Sequence, residues 1–142
     1  MINQLSVFLE NTRGRLSQMT RVICDAGIDL LALSISETTN FGILRAIVSD
    51  DDLAVTVLKQ AGYTVNLNEV IAVAVPDHPG GLSDILDILV EREVSVEYLY
   101  SFVRKPKENA LVIFKVTDAD LARKTLLKNE VSILTREDLL EL

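Results

Sequence analysis

Leu9-Glu10-Asn11-Thr12-Arg13-Gly14-Arg15-Leu16-Ser17 returns in the second half of the chain as Val75-Pro76-Asp77-His78-Pro79-Gly80-Gly81-Leu82-Ser83. Each copy follows a run of strand-like alternation and opens a run of helical spacing, so a strand–glycine turn–helix junction occurs twice. Before the first copy, Leu5, Val7 and Leu9 point one way and Ser6 and Glu10 the other, the period of a strand. After it, Leu16, Met19, Val22, Ile23 and Ala26 form one helical stripe, and Gly27 supplies the stop. Ile28 to Thr38 and Ile43 to Ser49 then read as a strand pair around Thr39-Asn40. Asp50-Asp51-Asp52 places acid at the start of a second helix, where it complements the helix dipole. That stripe is Leu53, Ala54, Val57, Leu58 and Ala61. Gly62 ends it before a short strand, Tyr63 to Val65.

The second half repeats this order. Val70 to Val75 is strand, and Leu82, Ile85, Leu86 and Leu89 form the helix stripe. Val94 to Val103 and Ala110 to Thr117 are the strand pair, and Asp118 and Asp120 open the next helix, ahead of strand Val131 to Leu134. The spacing between copies holds from Leu16/Leu82 to Ile28/Val94. It lengthens by two at Lys105-Pro106-Lys107-Glu108-Asn109 and then holds through Val48/Val116 and Leu58/Leu126. Surface loops tolerate such insertions. The expected organisation is a first repeat over 1–68, a second over 69–134, and a short helix over 135–142 capped by Thr135 and Asp138. Asn66-Leu67-Asn68 is the candidate linker. Two βαββαβ units follow, an α+β class with ferredoxin-like antiparallel sheets and both helices on one face. Units this small are marginal alone. Their first strands stay apolar even at outward positions (Phe8, Ala72, Ala74), so we expect the units to pair and the chain to form a homodimer.

Bulk properties narrow the function. The formal charge is −7, and both halves are acidic, with 5 basic against 7 acidic residues in 1–68 and 9 against 14 in 69–142. Nucleic-acid binders usually show a basic face, and RNA-binding sheets stack bases on aromatics, which are sparse here. We therefore expect no nucleic-acid partner. No apolar run approaches the ~20 residues that span a bilayer, so no membrane partner is expected. Residues 1–20 carry Glu10, Arg13 and Arg15 and lack the apolar core of a signal peptide. Cys24 is the single cysteine, which excludes an intrachain disulfide and reads as an inert packed thiol. Together these suggest a cytoplasmic, reducing setting.

With the repeats in place, the chain resembles the ACT domain family, small regulatory modules that bind amino acids. In the second copy Asp77-His78-Pro79-Gly80-Gly81-Leu82 is close to the family's Asp/Asn-x-Pro-Gly-x-Leu. The first copy reads Asn11-Thr12-Arg13-Gly14-Arg15-Leu16, with Arg13 in place of the usual proline. A second family feature is the start of strand two. Ala26-Gly27-Ile28-Asp29-Leu30 matches it with Asp29 at the polar position, and Glu93-Val94-Ser95-Val96 places Ser95 there. The resemblance covers nearly the whole chain and implies a stand-alone tandem ACT protein that binds a free amino acid between units.

The residues themselves offer suitable chemistry. A carboxylate needs donors, and helix N-termini at Gly14-Arg15-Leu16 and Gly80-Gly81-Leu82 present unpaired amides. An ammonium needs acceptors, which Asn11, Asp29 and Asp77 supply. Asn11 and Asp77 also suit Asx-turns or N-caps. Arg13 and Arg15 suit a carboxylate or open solvent, and His78 a ligand side chain or plain surface. The candidate ligand set is therefore Asn11, Thr12, Arg13, Gly14, Arg15, Leu16, Asp29, Leu30, Asp77, His78, Pro79, Gly80, Gly81, Leu82, Ser95 and Val96. No catalytic residues, metal ligands or cofactor are expected, because the chain lacks nucleophile–base and His-Glu zinc patterns. The alternatives to an amino-acid sensor are a regulatory subunit of a separate amino-acid biosynthetic enzyme and a structural dimerisation module. The aromatic pair Tyr98 and Tyr100, matched by Ala32 and Ser34 in the first copy, marks the two copies as unequal.

Overall fold

A computed structural model describes residues 2–37, 40–102 and 109–142. The chain folds as two compact units, one of Asn3–Asn68 and one of Glu69–Leu142 with Ile2. The first contains β1 (Ile2–Glu10), α1 (Arg15–Asp25), β2 (Leu30–Glu37), β3 (Phe41–Val48), α2 (Asp51–Gln60) and the opening stretch of β4 (Thr64–Pro76). The second takes the rest of β4, then α3 (Gly81–Glu91), β5 (Val96–Ser101), β6 (Asn109–Val116), α4 (Ala119–Lys128), β7 (Ile133–Leu134) and α5 (Arg136–Leu140). Residues 105–108 of the hairpin insertion lie outside the described residues, and Asn109 begins β6.

In the first unit β1 pairs antiparallel with β3 (Leu5↔Ala46 to Glu10↔Phe41), and β3 pairs antiparallel with β2. Residues 64–68 lie beyond β1, where Ser6 Oγ donates to Asn68 Oδ1 at 2.6 Å. In the second unit the order is β5-β6-β4-β7, with every pair antiparallel. This is the α+β, ferredoxin-like arrangement, formed twice. Both second strands carry a bulge at the matching place, between Leu30 and Ala32 and between Val96 and Tyr98. Such a bulge bends a strand and adds local twist.

Each unit has its own core. Leu5, Val7 and Leu9 of β1 meet Met19 and Ile23 of α1 and Ala54 and Leu58 of α2. Ile71, Val73 and Val75 of β4 meet Ile85 and Leu89 of α3 and Ala122 and Leu126 of α4. Burying one such Leu or Ile contributes about 1.5–3 kcal/mol. Loss of a single side chain is therefore large against the marginal stability of so small a core.

The helix ends are built alike. Asp50 and Asp118 cap α2 and α4 by accepting from Leu53 N at 3.0 Å and Leu121 N at 3.1 Å, which explains the acidic helix starts without a metal. Thr135 and Asp138 form a reciprocal capping box on α5. All four long helices close with the same bond two residues past the cap: Ile28 N to Ile23 O, Tyr63 N to Leu58 O, Val94 N to Leu89 O and Val131 N to Leu126 O. This geometry wants a left-handed residue just after the cap. The first unit uses Gly27 and Gly62 there, and the second uses Glu93 and Glu130.

Three expectations need correction. Asn66-Leu67-Asn68 leads from the first unit into the second, as the linker reading has it, but as an extended part of β4 rather than as a turn, because its place beside β1 overrides asparagine's turn preference. Leu16, Leu53 and Leu82 belong to the apolar stripes by spacing yet are 41%, 39% and 37% exposed, because each lies in its helix's first turn, at the rim of the core. Cys24 is exposed rather than packed, one position beyond the buried Ile23. No described helix is long and apolar enough to cross a membrane.

Candidate functional site

The glycine turns join β1 to α1 and β4 to α3. Gly14 (φ 83°, ψ −4°) and Gly80 (φ 91°, ψ −13°) are the N-cap residues, both left-handed, and no side chain caps either helix. Asn11 and Asp77 are thus not N-caps: the chain turns into each helix through a left-handed residue, which glycine adopts without a Cβ penalty. Thr12 O accepts from Arg15 N and His78 O from Gly81 N, while Gly14 O and Gly80 O accept from Gln18 N and Asp84 N. The amides of Leu16 and Ser17, and of Leu82 and Ser83, make no hydrogen bond among the described residues. Two such N–H groups at the positive end of a helix dipole form a cradle for an anion.

The turns differ in tightness. A Cβ added at Gly81 would fall inside the Pro76 carbonyl oxygen, whereas Gly14 and Gly80 face open space. His78 N donates to Pro76 O at 2.9 Å, as Thr12 N does to Glu10 O at 2.8 Å, and only the second copy adds a side-chain contact, His78 Nδ1 lying 2.9 Å from Pro79 O. In the first copy Arg15 stands where the second has Gly81, and Arg13 where it has Pro79. Asn11, Thr12, Arg13, Asp77, His78 and Pro79 are all exposed.

The strand-two residues lie elsewhere in their own unit. Asp29 N donates to Ser49 Oγ at 2.8 Å and Ser49 N returns a bond to Asp29 O. Ser95 and Thr117 repeat the exchange. Leu30 pairs in register with Val48, at the opposite end of the sheet from Gly42, which pairs with Leu9 beside the turn. Within a unit, therefore, Asp29 and Leu30 are not brought to Gly14. By the same register, Ser95 and Val96 are not brought to Gly80. What the first unit does bring to its turn is Ile35 and Gly42, which with Asn11, Thr12, Arg15 and Leu16 border a hollow of about 90 Å³.

A second hollow, of about 210 Å³, shares Leu9, Glu10 and Arg15 with the first and is closed by Phe8, Phe41 and Tyr63. Its counterpart in the second unit, about 290 Å³, is bordered at the matching positions by Ala74, Pro76, Gly81, Asn109 and Val131. In the first unit the Arg15 guanidinium lies over the Tyr63 ring, 4.4 Å from its centre. Arg15 Nε is shut off from solvent and has no acceptor. A buried donor left unbonded costs about 1–3 kcal/mol. Sequence reasoning singled out Arg15 but missed Phe8, Glu10, Phe41 and Tyr63 as its surroundings. Comparing equivalent positions of the two copies was the available signal. No group of His, Cys, Asp and Glu able to hold a metal occurs among the described residues.

A βαββαβ frame repeated with an uncapped glycine turn in each copy is the paired arrangement that the ACT resemblance implies. The chain belongs to the ACT domain family: the family model described as an ACT domain pair matches residues 1–142. Protein BT0572 from Bacteroides thetaiotaomicron, known from a crystal structure, is 38% identical over 99% of this chain and 96% of its own, with a TM-score of 0.93. The ligand-free regulatory subunit of aspartate kinase from Thermus thermophilus shares the fold at 13% identity, covering 89% of this chain and 91% of its own, TM-score 0.64. The regulatory subunit of aspartate kinase from Thermus flavus does so at 10% identity over 89% and 90%, TM-score 0.60. Among curated proteins none matches the chain.

Proposed function

We propose that this ACT domain pair is a regulatory protein, without catalytic activity of its own, that binds a free amino acid at its glycine turns. The reading rests on one observation: α1 and α3 both begin on a left-handed glycine, uncapped, with two adjacent amides unbonded. Those amides suit the ligand's carboxylate. Asn11 in the first copy and Asp77 in the second offer acceptors for its ammonium. Ligand contacts from Asp29, Leu30, Ser95 and Val96 require a neighbouring unit or a second chain, because their own unit holds them away from the turn. A ligand that needs a neighbouring unit or chain to complete its contacts couples its binding to that association. The homodimer and an enzyme partner belong to the same reading.

Calorimetry of the purified chain against the twenty amino acids tests it. Heat from at least one of them at millimolar concentration or below is the expected result, and no heat from any refutes the reading. Co-purification with a larger biosynthetic enzyme distinguishes a subunit from a free-standing sensor.

A further inference from the structure

The 210 Å³ hollow of the first unit has a composition that its counterpart lacks. Phe8 and Phe41 are 40% and 42% exposed, unusual for side chains of this size in a unit with its own core. Their ring centres are 6.0 Å apart and the planes tilted by 49°. Two tilted rings beside a hollow offer a third ring the edge-to-face and offset contacts that aromatic groups favour.

Both signs of charge border the same hollow without being paired. Glu10 makes no side-chain hydrogen bond or ion pair among the described residues. Arg15 is oriented by the Tyr63 ring, and its Nε lacks an acceptor. A zwitterion supplies a counter-charge to each, a carboxylate for the Arg15 guanidinium and an ammonium for Glu10. Glu10 and Arg15 also border the hollow beside the glycine turn. The second unit places Ala74, Asn109, Pro76 and Gly81 at the positions of Phe8, Phe41, Glu10 and Arg15, and so offers no ring and no cation there; the charged residues that border its hollow, Asp84 and Glu130, are both acidic.

We propose that the first unit selects an amino acid with an aromatic side chain, its ring against Phe8 and Phe41 and its charged head between Glu10 and Arg15, at one site per chain. This rests on the amino-acid reading above and adds the ligand class and the residues that set it.

The test is calorimetry of the full chain with phenylalanine, tyrosine, tryptophan and leucine, and with 3-phenylpropionate and phenethylamine, each of which keeps the ring and one charge. An aromatic amino acid should bind at one per chain, about tenfold or more tighter than leucine, and both one-charge analogues should bind more weakly. Phe41→Leu should weaken the aromatic ligand about tenfold and leucine by less, with a single cooperative melting transition retained by the free protein. Phe8→Leu repeats the test should Phe41→Leu not fold. Equal or tighter binding of leucine, or an aromatic affinity indifferent to Phe41→Leu and Phe8→Leu, overturns this inference and leaves amino-acid binding standing. Silence from every amino acid overturns both.

Discussion

Glu130 stands in the second unit where Gly62 stands in the first, and both hold a left-handed backbone, φ 60° and 91°. The bond that closes the helix is the same in each, Val131 N to Leu126 O and Tyr63 N to Leu58 O. The motif has therefore kept its geometry while losing its glycine. Glu93 repeats the relation with Gly27. A side chain in this region costs about 1–2 kcal/mol, offset in part by the extra freedom glycine gives the unfolded chain. Glu130→Gly and Glu93→Gly should each stabilise the protein by about 0.5–1 kcal/mol, read as a higher urea midpoint at unchanged slope.

Gly81 should tolerate no side chain. Gly81→Ala drives a methyl into the Pro76 carbonyl oxygen, a backbone atom that cannot swing away. A loss of about 2 kcal/mol or more is expected. Gly14→Ala meets open space and suffers only the left-handed backbone, about 1 kcal/mol. Thermal unfolding of the two variants side by side should show the larger drop for Gly81→Ala.

The caps should behave as equals. Asp50→Ala and Asp118→Ala each remove one carboxylate acceptor from the first turn of a helix and should each cost about 1 kcal/mol. The residues belong to separate helices with no shared partner, so the double variant should lose the sum. Denaturant unfolding of the three variants checks this.

Arg15→Met separates stability from binding. It loses the guanidinium contact over Tyr63, worth about 0.5–1 kcal/mol, and removes the unbonded Nε, which costs a similar amount, so the free protein should change by less than about 1 kcal/mol. Affinity for an amino acid at the first unit should fall about tenfold or more, because a charge-assisted bond is lost. Melting curves with and without ligand supply both numbers.

The fold was legible because it is written twice. Periodicity placed the long elements, and the duplicated Gly14 and Gly80 turns fixed their frame. Asn66-Leu67-Asn68 misled because asparagine carries turn chemistry wherever it stands, whereas the chain stays extended through it as part of β4. Cys24 misled because it is adjacent to a stripe residue, and one helical position, a turn of ~100°, separates buried from exposed. The site was half legible. The glycine turns and Arg15 carry local signals, whereas Phe8, Glu10, Phe41 and Tyr63 meet only through strand register. Asp29 and Ser95 read as contacts made to the turn of another unit, and register puts them at the far end of their own sheets, away from their own turn.

The most direct test of the central claim is an amide-resolved NMR titration of the full chain with the amino acid that gives the strongest calorimetric signal. Amide-cradled carboxylate binding predicts that the largest shifts fall on Leu16 and Ser17, on Leu82 and Ser83, or on both pairs, saturating with the calorimetric affinity. Saturable binding that leaves all four amides unmoved would contradict it.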